Sequence, residues 1–153
     1  MQLISIQNID RFLNCKHIAV AGASRKEKSF SASVIAHLRK KGYTVLRINP
    51  NFSENSVARN EFKTVKNLPR GVKINLLVLT NPEQTLSVVK SAIEGGIKNI
   101  WVQQKSETPE VIALCSSSKV NLIYNQCIFM FTHPEGMHKF HYHLKKFFGA
   151  VPI

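Results

Sequence analysis

Apolar, β-prone residues cluster in five short runs, at residues 18–21, 44–48, 75–79, 99–102 and 120–124. Each has the length of an ordinary strand rather than of a helix. Between the runs, apolar positions recur at spacings of three and four, the period of a helix lying on a sheet. Residues 6–13 read as a short helix leading into the first strand. Residues 29–41 present Phe30, Val34, Ile35 and Leu38 on one face, and Gly42 stands where that helix should stop. Residues 83–95 repeat the plan with Leu86, Val89 and Ile93, ended by Gly95-Gly96. Residues 108–118 do so again, with Pro109 at a first helical position and Val111, Ile112 and Cys115 facing inward. The alternation predicts an α/β fold: a Rossmann-like parallel sheet of about five strands with helices on both faces.

Two stretches depart from that rhythm. Residues 53–70 have few apolar anchors (Val57, Phe62, Val65, Leu68) and predict a short helix or an irregular crossover. Beyond Cys127 an apolar run, Ile128 to Phe131, leads to a turn at His133-Pro134-Glu135-Gly136 and then to an aromatic, basic C-terminal helix. No linker is needed, so residues 1–153 are expected to form a single domain, with 133–153 a terminal helical extension.

The residues after the five runs are Gly22-Ala23-Ser24, Asn49-Pro50, Thr80-Asn81-Pro82, Gln103-Gln104 and Asn125-Gln126. In an open parallel sheet these ends line the ligand crevice. None is a carboxylate, so the crevice offers amides, hydroxyls and carboxamides: enough to hold a phosphorylated ligand, with little acid–base chemistry. The first strand runs into Gly22-Ala23-Ser24-Arg25-Lys26-Glu27-Lys28-Ser29 and then a helix. A glycine there lets the backbone turn and approach a ligand, and the helix N-terminus attracts anions. Arg25, Lys26 and Lys28 add full charges, although only the first glycine of a G-x-G-x-x-G fingerprint is present. The second strand ends at Asn49-Pro50, with Arg47 just before, and lacks the acidic residue that holds the ribose of NAD. NADP stays open, because a basic residue can meet its 2′-phosphate; the 3′-phosphate of coenzyme A is met equally well.

Composition narrows the class. The chain has 153 residues and 44% are hydrophobic, enough for one real core. No apolar run approaches the roughly 20 residues that cross a bilayer, and Met1 to Ser5 lacks a signal-peptide pattern. The expectation is a cytoplasmic protein with no membrane partner. Three widely spaced cysteines, Cys15, Cys115 and Cys127, suit reduced thiols better than disulfides. Lys and Arg total 21 against 9 acidic residues, a net charge of +12 that draws polyanions or simply aids solubility. The single aspartate, Asp10, argues against a two-metal or Asp-dyad enzyme.

The C-terminal segment holds His133, His138, His141 and His143, two of them three residues apart. Without a strong third ligand, the expected reading is no metal: an amphipathic helix whose Phe140, Leu144, Phe147 and Phe148 pack, on the chain's own sheet or across a homodimer contact. Lys139, Lys145 and Lys146 lie among those aromatics, but no nucleic-acid motif accompanies them. Cys127 reads as a buried, inert thiol and Trp101 as core.

Val20-Ala21-Gly22-Ala23-Ser24-Arg25, Gly42-Tyr43-Thr44-Val45, Ile48-Asn49-Pro50, Thr80-Asn81-Pro82, Trp101-Val102-Gln103 and Cys127 follow the order and spacing of a known family. Over residues 16–128 the chain resembles the small stand-alone CoA-binding proteins, which are similar to the CoA-binding domain of the succinyl-CoA ligase alpha subunit. The resemblance implies a Rossmann-like fold that binds coenzyme A or an acyl-CoA. Gly22, Ala23 and Ser24 would take the pyrophosphate; on the charge reading above, Arg25, Lys26, Lys28 and Arg47 cluster near the expected 3′-phosphate, with Ser29 at the helix start. Asn49, Pro50, Thr80, Asn81 and Pro82 would flank the adenosine or pantetheine, and Gln103 would bond the ligand or the neighbouring loop. The family's usual glycine soon after Trp-x-Gln is replaced here by Gln104-Lys105. No family-wide reaction carries over, so a non-catalytic CoA-type binding module is the first expectation. An NADP-dependent oxidoreductase is the alternative and a basic interaction or nucleic-acid module the third. Gly22→Val is expected to block the ligand while leaving the fold largely intact.

Overall fold

The computed structural model describes residues 4–132. Six parallel strands pair in one sheet: β1 (His17–Ala21), β2 (Thr44–Ile48), β3 (Glu61–Phe62), β4 (Ile74–Val78), β5 (Asn99–Gln103) and β6 (Asn121–Gln126). Their order is β3-β2-β1-β4-β5-β6, the doubly wound Rossmann-like order. The sheet has one strand more than the five expected. The extra one is the two-residue edge strand β3, inside the stretch read as an irregular crossover, and it is followed by a 3-10 turn at Val65–Asn67.

Alternation along the strands sorts the core into two layers. Ala19, Leu46, Leu76, Val78, Ile100, Val102 and Leu122 face α3 (Pro82–Glu94) and α4 (Pro109–Ser117), meeting Val89, Ala92, Val111 and Cys115. Ile18, Val20, Val45, Leu77, Trp101 and Ile123 face α1 (Ile6–Leu13) and α2 (Phe30–Lys40), meeting Ile9, Phe12, Val34, Ile35 and Leu38. Both sheet faces are therefore covered, which is why the strands read as unbroken apolar runs. Trp101 is fully buried, its ring edge-on to Phe12 at 5.4 Å. The helices begin where short polar residues satisfy free amides: Ser5 with Asn8 in a capping box, Ser29 on Ala32 N, and Thr108 on Val111 N.

Two residues expected to face inward do not. Phe30 is 50% exposed and Leu86 39%. In each helix a hydroxyl residue one position away takes the first inward slot: Ser31 in α2 and Thr85 in α3, both buried. Phe30 instead stacks edge-on with Phe129 at 5.8 Å.

The other end of the sheet is tied by asparagines. Asn75, Asn99 and Asn121 stand in register on β4, β5 and β6. Asn121 Nδ2 donates to Asn99 Oδ1 at 3.0 Å, and Asn99 Nδ2 to Asn75 Oδ1 at 3.2 Å. Helix α1 closes both ends of the row: Asn8 Nδ2 donates to Asn121 Oδ1 at 2.6 Å, and Asn75 Nδ2 to the Phe12 carbonyl at 2.8 Å. Four carboxamides thus point the same way, an arrangement in which each bond polarises the next. Among the described residues, no helix is long and apolar enough to cross a membrane. The expected C-terminal helix, its dimer contact and its histidine cluster lie outside the described residues.

Candidate functional site

The sheet changes direction between β1 and β4, which are neighbours although the chain visits β2 and β3 between them. Ligand crevices of open α/β sheets lie at such a point, outside the strands' C-terminal ends. The loops after β1, β2 and β4 meet there. Gly22 N and Ala23 N both donate to Ile48 O at 3.2 Å, and Asn49 Nδ2 donates to Ala23 O at 2.8 Å. Asn49 Oδ1 in turn accepts from Asn51 N at 2.8 Å, so this carboxamide staples the two loops together. Pro50, next to it, is exposed. On the other side Gly22, at φ +86°, presses on the next loop: a Cβ placed on it would lie 2.9 Å from Leu79 C and 3.0 Å from Thr80 N.

From Ser24 onward the loop turns outward. Ser24 N donates to the buried Ser31 Oγ at 2.8 Å, and Lys26 N to Ser24 Oγ at 3.1 Å. Ser29 Oγ accepts from Ala32 N and donates to Lys26 O. The amides of Phe30 and Ser31, at the first two positions of α2, have no carbonyl within the helix to bond. Arg25, Lys26 and Lys28 stand exposed beside this helix start, and no ion pair among the described residues engages them. A helix start with free amides and flanking cations has the chemistry to hold a phosphate. Arg47 is placed differently. Its guanidinium donates to Glu61 Oε1 at 2.8 Å and to Ser24 O at 3.3 Å, and lies 5.0 Å from the centre of the Phe52 ring.

After β4, Thr80 Oγ1 shares a 2.9 Å hydrogen bond with Thr85 Oγ1, which also donates to Asn81 O. Asn81 is the N-cap of α3, yet its side chain caps nothing and is exposed, with Pro82 following at the first helical position. That leaves an Asn carboxamide facing solvent at the crevice edge. Gln103 goes elsewhere. It is buried, and its Oε1 accepts from Ile128 N at 3.1 Å, while Trp101 Nε1 donates to Gln126 O at 3.0 Å. Both polar ends of the Trp-x-Gln motif therefore seat the chain beyond β6, which is the neighbouring-loop alternative for Gln103. The structure brings the Gly22, Asn49 and Thr80 loops into contact and leaves Gln103 bonded to the 126–128 segment.

Two carboxylates at this end of the sheet were not singled out from the sequence. Glu61, on β3, reaches back to Arg47 across two strands that only the fold makes adjacent. Glu107, between β5 and α4, has an Oε2 atom that is buried without a hydrogen-bond partner. Lys105 takes a left-handed φ of +76°. Asn125 likewise sits at φ +55° in a bulge, so β6 runs on through Asn125-Gln126 instead of ending before them.

The three cysteines are free and buried. Burial pushes the Cys115 thiol up to about 11. A thiol raised in the folded state contributes stability that is complete below its unfolded value and is lost as pH climbs through the folded one. Stability should therefore fall between about pH 9 and 11, and Cys115→Ala should flatten that limb in urea titrations. An identical pH profile for the variant would reject the assignment. Among the described residues no group of three or more His, Cys, Asp or Glu is arranged to hold a metal ion.

The CoA binding domain family matches the chain over residues 16–133. This chain belongs to that family. CoA-type binding is what the family's description states, and the match spans the Gly22, Asn49 and Thr80 loops of this CoA binding domain. Solved structures agree on the fold. The chain is similar to a conserved hypothetical protein from Pyrococcus furiosus, with 28% identity and a TM-score of 0.68 over 76% of this chain and 98% of that one. It is also similar to a hypothetical protein from Pyrococcus horikoshii OT3, with 25% identity and a TM-score of 0.73 over 86% and 90%. A Thermus thermophilus protein shares the fold at 23% identity and a TM-score of 0.72, over 85% and 97%.

Proposed function

We propose that this protein holds coenzyme A or an acyl-CoA, as a single domain and without transforming it. The observation that carries the reading is the start of α2, where free amides are flanked by Arg25, Lys26 and Lys28, three cations against the one carboxylate of Glu27, with none of the three in an ion pair among the described residues. The pyrophosphate would lie against Ser24 and the α2 start, and the 3′-phosphate against Arg25 and Lys28. Arg47 would act as a positioning residue, because Glu61 already neutralises it and its second contact is the Ser24 carbonyl. Asn81 would reach the adenosine or pantetheine. The alternative, NADP, leaned on Arg47 as the cation for a 2′-phosphate, and that role suits a paired guanidinium less well. The dense internal bonding of Asn49, Thr80 and Gln103 favours a rigid cradle over groups free to move protons. Buried free thiols suit a reducing, cytoplasmic setting.

Calorimetry tests this. CoA should bind with a micromolar dissociation constant, roughly −8 kcal/mol, and dephospho-CoA about tenfold more weakly, as expected for losing a charge-assisted contact. In Arg25→Ala/Lys28→Ala the two ligands should bind equally. Failure of both to bind the native protein, or tighter binding of NADP than of CoA, would overturn the reading.

A further inference from the structure

At the opposite end of the sheet, where β4 and β5 begin, a cavity of about 500 Å³ opens between the loop after β3 and the C-terminal end of α3. Val65 and Ile74 in its lining are buried, and Leu68 and Ile97 pack against the same core layer. Around the opening stand four exposed cations, Lys66, Arg70, Lys73 and Lys98, and no ion pair among the described residues engages any of them. The plain explanation is that cations suit a helix C-terminus. It is too small: that end carries about half a negative charge, and Glu94 is the single carboxylate in the lining. Together they offset fewer than two of the four.

Like charges held around one opening repel each other, and low-dielectric walls focus their field outward, which concentrates anions. Val72 adds an apolar side chain left 42% exposed beside them. The volume falls within the range of about 300–1,000 Å³ typical of small-molecule sites. The crevice assigned above to CoA lies beyond the other ends of the same strands, so the two are separate.

We propose that this cavity binds a small amphipathic anion, a carboxylate or phosphate head on an apolar body. The head meets the lysine rim and the body covers Leu68 and Ile97. Calorimetric titration of the full chain with decanoate, decyl phosphate, decanol and inorganic phosphate tests it. Decanoate or decyl phosphate should bind, more weakly as salt rises above about 0.1 M. Decanol and inorganic phosphate alone should bind far more weakly, since each lacks one half of the recognition. Lys73→Gln/Lys98→Gln should weaken the anions about fivefold, the scale of two exposed charge contacts, with CoA affinity unchanged as proof of folding and of separate sites. Three results would overturn the proposal: no binding of either alkyl anion, binding indifferent to the double variant, or competition between decanoate and CoA. Inorganic phosphate binding as tightly as decyl phosphate would remove the apolar half and with it the ligand class.

Discussion

Gly22→Val should lower folding stability by about 3–5 kcal/mol, combining left-handed backbone strain with overpacking. The backbone sits at φ +86°, where a β-branched residue is a genuine outlier. Even a lone Cβ would meet Leu79 C at 2.9 Å and Leu79 O at 3.0 Å. Those are main-chain atoms at the end of β4, so no rotamer change can make room. Gly22→Ala should show most of the same loss, because the obstacle is the first carbon. Urea unfolding of both variants measures this directly. Equal stability of Gly22→Ala and the native protein would mean the β1 and β4 ends are not as tightly joined as described. From the sequence, this substitution was expected to obstruct the ligand and spare the fold. The glycine's close approach is made to the next strand's backbone, so any ligand measurement on a variant here must first be corrected for the folded fraction.

Asn99→Leu should cost about 2–4 kcal/mol, the penalty for stranding buried polar groups. Leucine removes the donor to Asn75 Oδ1 and the acceptor of Asn121 Nδ2, both on buried side chains. Asn121 keeps its second bond, to Asn8 O at 3.0 Å, so the loss is concentrated on Asn75. That makes a sharper test. In the Asn99→Leu background, Asn75→Leu should cost clearly less than it does alone, because its Oδ1 is already unpaired. A double-mutant cycle should give a coupling of about 1 kcal/mol or more. Costs that add within experimental error would show that the asparagines act separately and that the row has no collective strength.

Much of the architecture was legible because both faces of the sheet are covered. Apolar runs four or five residues long, separated by helix-period segments, leave few alternatives. Helix α1 has the bounds expected for it, and β2 those of its run. What escaped was polar. Apolar counting assigns the inward slots of α2 and α3 to Phe30 and Leu86, whereas Ser31 and Thr85 occupy them to bond the crevice loops. Asn75, Asn99 and Asn121 were visible at or next to the start of their runs, but their alignment depends on strand register, which the runs do not specify. The ion pair of Arg47 with Glu61 likewise needs the edge strand β3, two residues that no periodicity announces. At the crevice, the loops themselves were readable as strand ends. Which of their side chains face a ligand and which hold the backbone was not, because Asn49 and Gln103 have the chemistry for either task.

The asparagine row also dictates an order of events. Helix α1 precedes all six strands in the sequence, yet its partner Asn121 lies 113 residues further on. Until β6 has been synthesised and has paired, Asn8 has nothing to donate to, and the face formed by Ile9 and Phe12 lacks the Ile123 side of its seat. The seat of α1 is therefore complete only once the last strand has paired. A nascent chain stalled before residue 121 would have the α1 contacts to Asn75 and Trp101 within reach and lack those to β6.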